Sequence, residues 1–222
     1  MDSAAVVPVN ESHPSVSMIG CLAMEHGLIR RMLRLLNKET ASAANTGSIT
    51  VGFLDAALDF FKTYVEVRHH GKEERILFSE LALAKLSPED KRLLDELMSE
   101  HAEGRKLTDR FAGLNAQYKA TGHRMLPAII DILKELNKTC RSHLDKEDRR
   151  LFANIREYLT MEEISRIREC FQEFDSNLTI EDHAKALEHF ERKILHVNSE
   201  RNNGKGGHYA ENVVNENKKN AV

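Results

Sequence analysis

Eleven histidines occur among the 222 residues, and several interrupt otherwise apolar helical series. His70 and Glu74 stand four apart, as do His143 and Glu147. Positions i and i+4 of a helix share a face one turn apart, so each pair presents an imidazole and a carboxylate to one point. His26 and His101 each add an imidazole from another apolar series. Six such groups buried without partners would cost about 1–3 kcal/mol apiece. A shared pair of metal ions removes that cost, as in carboxylate-bridged sites at bundle cores. Mixed imidazole and carboxylate ligation with open positions suits iron, in preference to manganese or zinc. The expected donors are therefore His26, His70, Glu74, His101, His143 and Glu147 around two ions.

The second helix offers two frames, because His69 and Glu73 also stand four apart. Stepping by three and four from Val67 through His70 and Glu74 to Leu77 selects the His70–Glu74 frame.

These donors require four helices. The first is expected over 16–38, with Ile19, Leu22, His26, Ile29, Leu33 and Leu36 on one face. A polar loop, Asn37–Ser48, follows. The second, over 49–85, carries Ile49, Phe53, Ala56, Phe60, Thr63, Val67, His70, Glu74, Leu77 and Leu81. Ser87-Pro88-Glu89-Asp90 opens the third, over 88–119, with serine as cap and proline in the first turn. Its face holds Leu94, Leu97, His101, Thr108, Phe111 and Asn115, and Gly104 would admit a close helix neighbour. The fourth, over 123–158, carries Leu126, Ile129, Leu133, Leu136, Cys140, His143, Glu147 and Leu151. Thr160-Met161-Glu162-Glu163 caps a shorter helix over 161–174, and Thr179 with Asp182 opens a last one over 180–196.

The fold class is therefore all-α: an antiparallel up-down four-helix bundle with one or two additional C-terminal helices. Residues 1–15 read as a flexible arm, 16–160 as the bundle, 161–196 as a helical extension and 197–222 as a disordered tail.

Composition narrows the function. The formal net charge is −3, and no basic stripe with interleaved aromatics points to nucleic acid. Apolar runs fall far short of the roughly 20 residues that span a membrane. Cys21, Cys140 and Cys170 are odd in number and widely separated, as expected of reduced thiols in a cytoplasmic protein. Cys140 reads as a small buried hydrophobe. His183, His189, His196 and His208 read as surface residues.

The segments AMEHGLIRRM, VRHHGKEERILF, LMSEHAEGRKL and CRSHLDKEDRRLF, in the order His, HxxxE, His, HxxxE, resemble the hemerythrin-like, or HHE cation-binding, family. The resemblance covers roughly residues 16–175. It implies a non-haem di-iron centre with His26, His70, Glu74, His101, His143 and Glu147 as ligands, the glutamates bridging and an oxo or hydroxo group as third bridge. Oxygen-carrying members place a further histidine where this chain has Arg105, and they have a longer spacing to a final aspartate where this chain has Glu147. The site is thus expected to hold one imidazole fewer, with His123 or His69 as the candidates to supply it. An open position implies binding of, or reaction with, a small oxidant: hydrogen peroxide, oxygen or nitric oxide. The enzymatic form of that expectation is a peroxide- or NO-reactive oxidoreductase. The alternative is a non-enzymatic iron- or oxygen-sensing, or iron-storing, module. Neither nucleic acid nor a membrane is expected as partner, and the sequence does not specify an oligomeric state.

Overall fold

A computed structural model describes residues 18–178, together with 185, 187, 188 and 192. The expected N-terminal arm, tail and most of the last helix, with His183, His189, His196 and His208, lie outside the described residues. Among the described residues the only regular structure is helical.

Helix α1 spans Met18–Thr46. It runs through much of the segment expected to be a loop, because Ala41, Ala43 and Ala44 favour helix and Thr40 folds its hydroxyl back onto the Leu36 carbonyl at 2.9 Å. It ends at Gly47, whose φ of +74° suits glycine and whose N–H reaches the Ala43 carbonyl at 2.8 Å. Helix α2 covers 51–83, α3 spans Pro88–Thr121, and α4 covers 126–158 after a short 3₁₀ turn, Gly122–Met125. Helix α5 spans Met161–Ser176. Two of the three expected helix starts are built as the sequence suggests, and the third, at Thr179, lies outside the described residues. The Ser87 side chain accepts from the Asp90 N–H with Pro88 in the first turn, and Thr160 and Glu163 form a reciprocal capping box.

Three stretches are wound as π-helix: Phe60–His69 and Glu73–Leu77 in α2, and Glu147–Leu151 in α4. Bonding from i to i+5 loosens the helix, so a face recurs roughly every four to five residues rather than every three to four. The buried series of α2 accordingly runs Phe60, Tyr64, His69, Glu73, Leu77, Leu81, with Phe61, Val65 and His70 beside it. Val67, expected on the core face, is 48% exposed.

Helix α1 packs on α2 and α4, and α3 packs on the same two, closing a four-helix ring. The apolar core falls into two parts separated by a polar layer. Along α1, Met18 and Leu22 belong to one part and Ile29 and Leu33 to the other, with His26 between. Along α2 the order reverses: Phe53 to Val65 come first, then His69 to Glu73, then Leu77 to Leu81. It reverses again along α3 and α4, as an up-down bundle requires. Helix α5 adds Ile164, Ile167 and Phe171 to the part containing Met18. No helix among the described residues is long and apolar enough to cross a membrane.

Candidate metal centre

The polar layer brings together five imidazoles and two carboxylates, all buried. They form two groups that could each hold a metal ion: His70, Glu73, His101 and His143, and His26, His69, Glu73 and Glu147. Glu147 lies between the groups, with Oε1 3.1 Å from His143 Nε2 and Oε2 3.3 Å from His26 Nε2. Glu73 Oε2 does the same, 3.5 Å from His101 Nε2 and 3.6 Å from His69 Nε2. The His101 and His143 Nε2 atoms approach to 2.9 Å. Donors that share one ion at roughly 2.1 Å each stand roughly 3 Å apart, so these separations fit a coordination shell.

The hydrogen-bond inventory points the same way. His26 Nε2, His69 Nε2, His70 Nδ1 and both carboxylate oxygens of Glu73 and of Glu147 are buried without a hydrogen-bond partner. Seven orphaned atoms in one layer is a cost that a folded bundle does not carry unless cations occupy it. Residues 17–155 match the hemerythrin HHE cation binding domain.

The chain belongs to the hemerythrin HHE cation-binding family. No curated protein matches it. The hemerythrin match begins just before α1 and ends within α4, so α5 lies wholly beyond it.

Within this hemerythrin frame, five of the six sequence-expected residues enter the layer: His26, His70, His101, His143 and Glu147. Glu74 does not. Its carboxylate faces away and accepts from Arg105 at 2.7 Å and pairs with His101 Nδ1 at 2.9 Å. Glu73 takes the central place, and His69 joins it. The cause is the loosened winding of α2, which brings both members of the His69-His70 pair inward and shifts the carboxylate frame back by one residue. The expected shortage of one imidazole is thus made up by His69, one of its two candidates, while His70 keeps its expected place. Only the chain's second HxxxE frame, His69–Glu73, signalled this in the sequence. The His123 side chain is outside the described residues.

Four of the five imidazoles have a carboxylate at Nδ1, each backed by a cation. His26 meets Asp148 at 2.8 Å, and Asp148 meets Arg30. His69 meets Glu25 at 3.0 Å, and Glu25 meets Lys72. His101 meets Glu74, and Glu74 meets Arg105. His143 meets Glu100 at 3.0 Å, and Glu100 meets Lys146. In each case the carboxylate comes from the preceding helix around the ring: α4 to α1, α1 to α2, α2 to α3 and α3 to α4. Such partners fix the tautomer, leaving Nε2 free for a metal and raising its basicity. The arrangement follows from sequence adjacency in Glu25-His26, Glu73-Glu74, Glu100-His101 and Glu147-Asp148. Successive helix positions point in different directions, so one side chain enters the centre while its neighbour reaches the adjacent helix.

Without metal the charges sort unevenly. Burial and the neighbouring Glu147 push Glu73 well above the ordinary carboxylate range. Burial also disfavours ionised Glu147, but His143, His101 and His26 outweigh it and hold that group well below. Burial would lower His143, yet Glu147 and Glu100 raise it to about 9. Burial lowers His69 to about 4.

A cavity of about 30 Å³ abuts the layer beside His70, His101 and His143, walled by Phe61, Leu107, Leu136 and Cys140. That volume admits water or a diatomic. Gly104 faces this space; a Cβ there would meet nothing within 4 Å, so it is not the close helix contact that its position suggests. Burial pushes the Cys140 thiol up to about 12, which makes it a neutral wall.

Proposed function

We propose that this chain is a non-haem di-iron protein that binds or reacts with a small oxidant, namely hydrogen peroxide, oxygen or nitric oxide, in the cytoplasm. The observation that carries the reading is the set of orphaned Nε2, Nδ1 and carboxylate atoms shared between two donor groups. His70, His101 and His143 would hold one iron, His26 and His69 the other, with Glu73 and Glu147 bridging. Borderline imidazole with hard carboxylate favours iron over the softer or harder alternatives. When bound, the iron pair supplies the redox equivalents for dioxygen, peroxide or nitric oxide chemistry.

The protein's own part is to leave one position unfilled. One group has three imidazoles and the other two, so the His26–His69 side is one protein donor short and leaves a position for an external ligand. The small cavity restricts what reaches the layer by size, and the apolar core on both sides keeps bulk water out. The ring of Nδ1 carboxylates holds the imidazoles in place through changes of charge.

Metal analysis and an ultraviolet-visible spectrum of purified protein test this reading. Two irons per chain, with a spectrum altered by peroxide or nitric oxide, support it. Protein that takes up no iron, or zinc alone, refutes it. Peroxide turnover above that of free iron would make the chain an enzyme. Stoichiometric binding without turnover would favour the sensing or storage alternative, which the docking of α5 against Lys72 also favours.

A further inference from the structure

Helix α5 lies outside the matched domain, yet its last turn reaches the metal layer. Asp175 accepts from both Arg68 Nε and Arg68 Nη2 at 3.0 Å. Its Oδ2 also accepts from Lys72 Nζ at 3.1 Å. Lys72 is 1% exposed, an ammonium held inside the protein between two carboxylates. The second of these is Glu25, whose other oxygen meets His69 Nδ1. A continuous chain of charge-assisted bonds thus runs from Asp175 through Lys72 and Glu25 to His69. Beside it, Phe174 covers Gly71: a Cβ at residue 71 would stand 2.9 Å from the Phe174 Cζ. Glycine at that position is what lets the Phe174 ring lie against α2, next to the His69-His70 pair.

We propose that Asp175 is a positioning residue for one half of the metal centre, acting through Lys72 and Glu25 on His69, and that α5 is the element that delivers it. This rests on the two-metal reading above. A buried ammonium needs its full set of acceptors. With Asp175 neutralised, Lys72 draws on Glu25 alone, and Glu25 loosens its hold on His69 Nδ1. The effect is confined to the His26–His69 side. His101 and His143 of the other group are held by Glu74 and Glu100, whose cations Arg105 and Lys146 belong to α3 and α4. The three other carboxylates have cations supplied within the bundle; only Lys72 is itself braced from α5.

The test is anaerobic titration of the metal-free full chain with Fe(II), followed calorimetrically, with thermal unfolding of each variant as a second readout. The unaltered chain is expected to show two binding steps. Asp175→Asn should weaken one step by about tenfold, at the low end of what losing an outer-shell partner costs, and leave the other unchanged. Arg166→Gln removes the exposed ion pair of α5 with Glu80 and should change neither step. Asp175→Asn with both steps unchanged overturns the proposal. So does equal weakening of both steps together with lower thermal stability of the metal-free chain, which would make α5 a structural brace only. An unaltered chain that takes up no Fe(II) overturns the two-metal reading itself.

Discussion

The Glu74 carboxylate sits 2.9 Å from Nδ1 of His101, behind the imidazole, while its chain neighbour Glu73 is fully buried in front of His69 and His101. Two successive glutamates therefore have different tasks. One is a candidate donor shared by both ions, and the other orients a donor from outside.

Substitution separates these tasks. Glu73→Gln removes a carboxylate common to both donor groups and should abolish stable binding of the pair. Glu74→Gln should keep both ions while weakening one by about 10–100-fold, through His101. Iron content and binding isotherms of the two variants check this. Full iron retention by Glu73→Gln, with loss by Glu74→Gln, would restore the frame expected from α-helical stepping.

Protons compete with the metal. Without metal, His143 is protonated below about 9, because Glu147 and Glu100 together outweigh the effect of burial. Binding must displace that proton at neutral pH, so apparent affinity should climb by up to about tenfold per pH unit and level off above that value. The linkage runs the other way for the metal-free fold. A raised histidine pKa stabilises it fully below the ordinary histidine range, and the contribution disappears as pH rises through about 9. Affinity independent of pH between 6 and 8 would show that no proton leaves His143 on binding.

Gly104 offers a test of access. A Cβ there meets nothing within 4 Å, and Gly104 lines the cavity of about 30 Å³, so a methyl can be added without disturbing the backbone. Gly104→Ala should narrow that space, slow the association of nitric oxide with iron-loaded protein, and leave iron content unchanged. Stopped-flow absorbance measures the rate. An unchanged rate would place the entry route elsewhere.

Ser87 provides a measure of the scaffold alone. Its side chain accepts the Asp90 N–H at 3.0 Å at the start of α3. Ser87→Ala should cost about 1 kcal/mol of stability, read from denaturant unfolding, with no change in metal affinity. Loss of metal in this variant would mean that the α3 cap also governs the register of His101.

Much of the bundle was legible from residue periodicity. The faces of α1 and α3 follow three-and-four spacing, and His26 and His101 fall on them as expected. The caps at Ser87 and Thr160 and the stop at Gly47 are local chemistry, carried by the residues themselves. The end of α1 was less legible, because a run of alanine, serine and threonine reads equally as loop or helix until Ala43 is buried against a neighbour.

Sequence alone determined that four helices would each bring nitrogen or carboxylate donors to one layer, since periodicity sets which side chains share a face. It could not determine which of two overlapping His–Glu frames in α2 would point inward. That depended on π-helical winding, which pays off only when neighbouring helices accept the shifted face, and no residue of α2 encodes those neighbours. The ring of outer carboxylates and the reach of Asp175 to His69 were likewise decided by tertiary packing, because each joins residues from helices that the chain brings together only once folded.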